Sequence, residues 1–308
     1  MDWQDAWERA EKTIAGVTRR RVRGSTPDVE IALLDWGGDG DLVLLHHANG
    51  FCGATLAPIA NALSDRFRVV AMDARGHGDS TSVRPDADPN PYDWKVLAAD
   101  LRAAVHEILE ITQRDRVELA IGHSFGGALI LDSAQNEPAL FGNILLCDPV
   151  IVESASPVEN EPGSGGPDLA AGARKRRDRF PTRAEAYEHF HSRGIFANFT
   201  PEALALYVGE GIGPTPDEDF ELKCKREVEA AIFSSTALTD LFADADKVTA
   251  DVTFLHALKG NFSRARYDAL AQRMTTARVE GLDVGHLFPL EEPERVLRAV
   301  DELIPYRK

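Results

Sequence analysis

The chain has 308 residues, which suffices for one large α/β domain or a core with an insertion, and its 44% hydrophobic and 27% charged content is ordinary for a globular protein. A formal net charge of -16 argues against nucleic acid and against an anionic membrane as partners, because both repel a strongly acidic surface. Cys52, Cys147 and Cys224 are odd in number, far apart and without metal-ligand spacing, so neither a disulfide framework nor a metal site is expected.

In chain order, Trp3, Trp7, Ala10 and Ile14 recur at helical spacing and predict a short amphipathic helix lying on the domain. The first ten residues lack the basic stretch and apolar core of a secretory signal. No apolar run approaches the ~20 residues of a membrane span. Pro305-Tyr306-Arg307-Lys308 matches no peroxisomal or lipidation signal, and the expected compartment is the cytoplasm. Residues Val29 to Leu34 alternate in part and predict a sheet-edge strand, with Trp36 to Gly40 as its turn. Leu42-Val43-Leu44-Leu45 is a continuous apolar run, the mark of a strand covered on both faces, and it empties into His46-His47-Ala48-Asn49-Gly50-Phe51. Residues 54–65 read as helix. Phe67 to Met72 reads as another buried strand, followed by Asp73-Ala74-Arg75-Gly76-His77-Gly78-Asp79-Ser80 and a long helix from about Tyr92 to Thr112.

Val117 to Ile121 is a strand that runs into Gly122-His123-Ser124-Phe125-Gly126-Gly127, and a helix-forming stretch follows. This is a G-x-S-x-G nucleophile elbow in the strand–turn–helix setting that such a turn needs. Glycines at 122 and 126 remove side chains where strand and helix cross. The N-terminus of the helix then offers free N–H groups to a developing oxyanion. Ser124 is therefore the candidate nucleophile.

A further strand is expected from Asn143 to Cys147. From about Glu153 the alternation stops. Ser154 to Gly172 is rich in Pro, Gly, Ser and acid, the composition of a linker or loop, and helical segments follow without strands. Thr182 with Glu185 forms a capping box, and Thr200 precedes a proline at the first helical position. The basic run Arg174-Lys175-Arg176-Arg177 reads as a solvated helix face rather than an anion site. Strand Val252 to His256, a helix near Ala265 to Met274, strand Ala277 to Glu280 and a last helix from Pro293 restore the rhythm. The expected fold class is α/β: a doubly wound, mostly parallel sheet with an all-helical insertion between strands six and seven. Residues 1–152 and 246–308 form the core and 153–245 the insertion.

Four motifs, in order, resemble those of the α/β-hydrolase superfamily. They are the elbow, the Leu44-Leu45-His46-His47-Ala48-Asn49-Gly50-Phe51 loop, the Asp73 to Ser80 turn, and Gly285-His286-Leu287-Phe288-Pro289-Leu290-Glu291-Glu292-Pro293-Glu294. The insertion is similar to the cap domain that many members carry. A serine hydroxyl needs a base, and the resemblance, with histidine last in chain order, selects His286 from nine histidines. The acid that members usually place after strand seven is missing here, where the loop reads Leu258-Lys259-Gly260-Asn261-Phe262-Ser263-Arg264. The resemblance offers the end of strand six instead, which makes Asp148 the expected acid. Asp283, or a weakened dyad supported by Asn261, stays open beside it.

By the same resemblance the oxyanion donors are the backbone N–H groups of Ala48 and Phe125, with Asn49 and His123 as substrate-binding residues. No cofactor and no metal is implied. The expected function is a serine hydrolase that cleaves a small carboxylic ester, lactone or thioester through an acyl-enzyme on Ser124. The partner is a small, apolar acyl substrate, and the oligomeric state is left open. Other readings are a C–C bond hydrolase, a non-catalytic ligand-binding member of the fold, and a cofactor-free oxidative or lyase activity.

Overall fold

The structure, a computed structural model, describes residues 1–151, 167–235 and 240–305. Its centre is an eight-stranded sheet built from β1 (Thr18–Arg23), β2 (Glu30–Asp35), β3 (Leu42–His46), β4 (Arg68–Met72), β5 (Val117–His123) and β6 (Phe141–Cys147), with β10 (Asp251–Ala257) and β11 (Ala277–Leu282) added after the insertion. The strand order is β1-β2-β4-β3-β5-β6-β10-β11. The pairs β1–β2 and β2–β4 are antiparallel and the remaining pairs are parallel. All five side chains of Leu42–His46 are buried, as expected of a parallel strand covered on both faces.

Helices cover both faces. On one side α1 (Trp3–Ile14), α2 (Ala57–Leu63) and α11 (Pro293–Leu303) share one hydrophobic core with the alternate strand residues Val43, Leu45, Leu119 and Leu145. On the other, α3 (Trp94–Thr112), α4 (Phe125–Asn136) and α9 (Arg264–Ala271) share a second core with Leu44, Val70, Ala120 and Leu146. Alternate residues of one strand thus feed two cores, as a period of two requires. The chain leaves β3 towards β4 on one side and returns to β5 on the other. The crevice beyond the C-terminal ends of β3 and β5 is therefore the switch point where open α/β sheets bind ligands.

Two expectations are corrected. The strand over Val29 to Leu34 is not at the sheet edge, because β1 pairs outside it with Thr18 opposite Asp35 and Arg23 opposite Glu30. The insertion is also not all-helical. Besides α5 (Pro167–Arg174), α6 (Arg183–His191), α7 (Pro201–Gly211) and α8 (Arg226–Ser234), it carries a small antiparallel sheet. That sheet joins β7 (Arg179–Phe180), β8 (Ile212–Pro214) and β9 (Phe220–Leu222) in the order β7-β9-β8. Of the expected linker, residues 154–166 lie outside the described residues, and the remainder is the start of α5. Both helix caps are present, with Thr182 accepting from Glu185 N and Thr200 from Ala203 N. The first helix lies where an amphipathic stripe should, Ala6 and Ala10 inward.

Candidate active site

The turn between β5 and α4 holds Ser124 at φ 54° and ψ -116°, a backbone region that costs an L-residue of order 1–3 kcal/mol and persists only where its surroundings impose it. Ser124 N donates to Cys147 O at 3.0 Å, which ties the elbow to the end of the neighbouring strand. Gly126 is required by close approach. A Cβ there would lie 2.4 Å from His46 Nδ1 and 2.6 Å from His47 O, so any side chain would push α4 off the loop after β3.

His286 stands between β11 and α10 (Phe288–Glu291). Its Nε2 lies 2.9 Å from Ser124 Oγ and its Nδ1 lies 2.7 Å from Asp148 Oδ2. With the Nδ1 proton donated to the carboxylate, Nε2 is left free to accept from the serine hydroxyl. Asp148 follows β6 at φ 43° and is fully buried. A buried carboxylate without partners would be costly. Oδ1 accepts from Ala257 N at 3.0 Å and lies 3.1 Å from the Tyr267 hydroxyl, whose single proton is shared with Pro149 O at 2.8 Å. The chain thus brings together the serine, the histidine and the acid that the sequence reading preferred. It does not bring Asp283 to them: that carboxylate is largely exposed and pairs with Lys259 Nζ at 3.0 Å.

A cavity of about 200 Å³ opens onto Ser124 and His286. Ala48, Asn49 and Phe125 line it, as do Trp94, Val150, Phe262 and Leu287. Phe125 is the first residue of α4, so its N–H has no acceptor within the helix. The loop after β3 is braced by His47, whose Nδ1–H donates to Ala48 O at 2.7 Å while its Nε2 accepts from Ala74 N at 3.0 Å. His77 Nε2 accepts in the same way from Gly50 N at 3.0 Å.

The expectation for His123 needs correction. It is buried and not among the residues lining the cavity, and its Nε2–H donates to His286 O at 2.9 Å. Its ring lies 5.4 Å from that of His286 between centroids and packs against it rather than facing the cavity. Burial, with His286 adding to it, lowers the His123 pKa to about 3, so this ring is neutral beside His286. The basic run also departs from expectation. Arg176 is mostly buried, lines the cavity and pairs with Glu229 of α8, which lines it too. Sequence reasoning missed both residues, because a run of four basic residues has no feature that tells which one turns inward. Burial raises the Glu229 carboxyl and the Arg176 guanidinium pulls it back down.

Comparison with known proteins agrees with the geometry. The family model described as "Alpha/beta hydrolase family" matches residues 42–299. A protein phosphatase methylesterase of Schizosaccharomyces pombe is 30% identical over 95 residues, 30% of this chain and 27% of that protein. The curated relatives match over only 26% to 39% of their own length. Among solved structures, E-2-(acetamidomethylene)succinate hydrolase superposes with a TM-score of 0.71 at 20% identity, over 94% of this chain and 100% of the other. A thermophilic esterase from Thermogutta terrifontis gives 0.65 at 22% identity, over 93% and 98%. At these identities the structural likeness is one of fold. With the elbow, the strand order and a family match over most of its length, the chain belongs to the alpha/beta hydrolase family.

Proposed function

We propose that this protein is a serine hydrolase that transfers the acyl group of a small carboxylic ester, lactone or thioester to water. The observation that carries the reading is the unbroken path Ser124 Oγ–His286–Asp148, at 2.9 and 2.7 Å, opening onto a largely apolar cavity. His286 Nε2 takes the hydroxyl proton as Oγ forms a bond to the carbonyl carbon, and the carbonyl electron pair moves onto its oxygen. The N–H groups of Phe125 and Ala48 receive that oxyanion. When the tetrahedral adduct collapses, the bond to the leaving group breaks and His286 returns the proton to it. An acyl ester remains on Ser124. Water, deprotonated by His286, repeats the sequence and releases the acid. Asp148 holds the imidazole tautomer and stabilises the imidazolium that forms twice per turnover.

The names of the methylesterase and the thermophilic esterase support ester chemistry. In this reading residues 153–245 are a cap over a core of residues 1–152 and 246–308, and its side chains select an apolar acyl group. We place the activity in the cytoplasm; among the described residues no helix is long and apolar enough to cross a membrane. A panel of p-nitrophenyl esters, γ-lactones and acyl thioesters tests the assignment. Turnover of at least one class at about 1–10³ per second is expected. Tight binding with no acid released from any of them would instead favour a ligand-binding member of the fold.

A further inference from the structure

Beside the aromatic packing of Phe51 on Phe196, Phe199 and Tyr207, the cap makes a polar contact with the loop after β3 that has no part in the proton relay. Gly50 has φ 83°, and a Cβ on it would lie 2.6 Å from Glu229 Oε1 and 3.2 Å from Arg176 Nη1. One residue earlier, Asn49 Nδ2 donates to Glu229 O at 3.1 Å. Arg176 Nη1 donates to Glu229 Oε2 at 2.5 Å, and Nη2 of the same guanidinium donates to the Tyr207 hydroxyl on α7. The segment Ala48-Asn49-Gly50 is thus clamped from the core by His47 and His77 and from the cap by a mostly buried ion pair.

An ion pair in such a place is a poor source of stability, since well-packed apolar residues of similar volume often do as well or better. What it does supply is a fixed geometry, and here the geometry concerns the loop that carries the Ala48 amide. We infer that Arg176 and Glu229 are positioning residues for the oxyanion loop: docked on Asn49 and Gly50, they fix where the Ala48 N–H points, so the site is complete only when α8 and the Arg176 segment are seated. This rests on the acyl-transfer reading above. Loss of one oxyanion donor costs about 10²–10³ in kcat, and a shift of about 1 Å near the reacting atoms can cost as much as 10². Because Arg176 also lines the cavity, direct contact with substrate is the rival explanation, and the two separate kinetically.

The test compares Arg176→Gln, Glu229→Gln, Asn49→Ala and the double variant Arg176→Gln/Asn49→Ala. Lys175→Gln, at an exposed neighbour in the same basic run, is the control. Steady-state hydrolysis of p-nitrophenyl butyrate and the rate of fluorophosphonate labelling are read for each. The expected result is a kcat lower by about 10–100-fold in Arg176→Gln and in Asn49→Ala, with KM within about twofold and labelling slowed in parallel. The double variant should fall no more than about threefold below the worse single, since both act through one loop. Glu229→Gln, which keeps shape and an acceptor, should lose less, and Lys175→Gln nothing.

A raised KM at unchanged kcat would assign Arg176 to substrate contact and overturn the inference. Additive losses, or no loss, would do the same. Should Arg176→Gln fail to fold, Arg176→Lys, which keeps the charge but not the two-armed bond to Glu229 and Tyr207, takes its place in the cycle with Asn49→Ala under the same criterion. A wild-type protein that neither hydrolyses nor labels would sink the acyl-transfer reading itself, a result distinct from an active wild type with unaffected variants.

Discussion

Asp148 is the residue on which the catalytic reading leans hardest, since its family position is the less common of two. The seat built for it is specific. Its two oxygens are divided between His286 on one side and Ala257 N with Tyr267 on the other, and a Cβ on Gly260 would come within 2.8 Å of Oδ2. Replacing Asp148 with Asn keeps the volume, but the amide no longer fixes the tautomer, and kcat is expected to fall by about 10³–10⁴. Asp283→Asn, at an exposed pair with Lys259, should leave kcat within about twofold. Parallel kinetics of the two variants checks both; a larger loss at Asp283 would reassign the acid. Ser124 was legible in its strand–turn–helix setting, and His286 and Asp148 through the family resemblance, which looks for them after the last strand and after strand six. Arg176 and Glu229 were not, since their meeting depends on how the insertion between β6 and β10 folds. The role of His123 was misread for a related reason: its position beside the nucleophile says nothing of which way its ring turns.

At the scale of elements, continuous apolar runs made the central strands easy to place and left the periphery hidden. Thr18-Arg19-Arg20-Arg21-Val22-Arg23 has one buried residue, Val22, and no alternation to read, yet it completes the sheet. Its arginines find carboxylates only in the fold, Arg20 with Asp35 at 2.7 Å and Arg23 with Glu107 at 2.6 Å. The two- and three-residue strands of the cap are too short to show any period. The strand ends also concentrate buried imidazoles: burial, the largest cause in each case, lowers His46 and His123 to about 3, His77 to about 4, and His47 well below its usual value.

The unfolded chain protonates these four rings near pH 6.5, whereas the folded protein keeps them neutral far below that. Unfolding is therefore coupled to proton uptake, and stability declines as the pH falls from about 6.5 to 4. Asp73 acts in the opposite sense. Burial raises it to about 6 against the N–H groups of Asp79 and Gly53, so its carboxyl takes up a proton in the folded state first and recovers part of the loss between pH 6 and 4. Burial also raises the carboxyls of Asp132, Glu229 and Glu291, which act in the same sense as Asp73, but the four imidazoles are shifted further and leave a net decline. Urea midpoints at pH 7, 5.5 and 4.5 should fall in that order; a midpoint that rises on acidification would contradict the neutral, buried rings.

For the molecule as a whole, the strand order explains why residues so far apart in sequence meet. Placing β3 and β5 side by side at the switch point joins Ala48 to Phe125. Adding β6 and β10 beyond them sets Asp148 opposite the loop that carries His286. The insertion lies between β6 and β10; it leaves the sheet beside Asp148 and, because the two strands are parallel, returns at the opposite end, where Asp251 pairs level with Asn143. Through Glu229 O it meets Asn49 in the loop after β3. The central claim is a covalent acyl intermediate on Ser124, and the most direct measurement is labelling by a fluorophosphonate followed by peptide mapping, beside ester turnover in Ser124→Ala. The label is expected on the peptide containing Ser124 alone, and the variant should keep the wild-type fold while losing at least about 10⁴-fold in kcat. Label on another residue, or a Ser124→Ala protein that still turns over ester, would contradict the account.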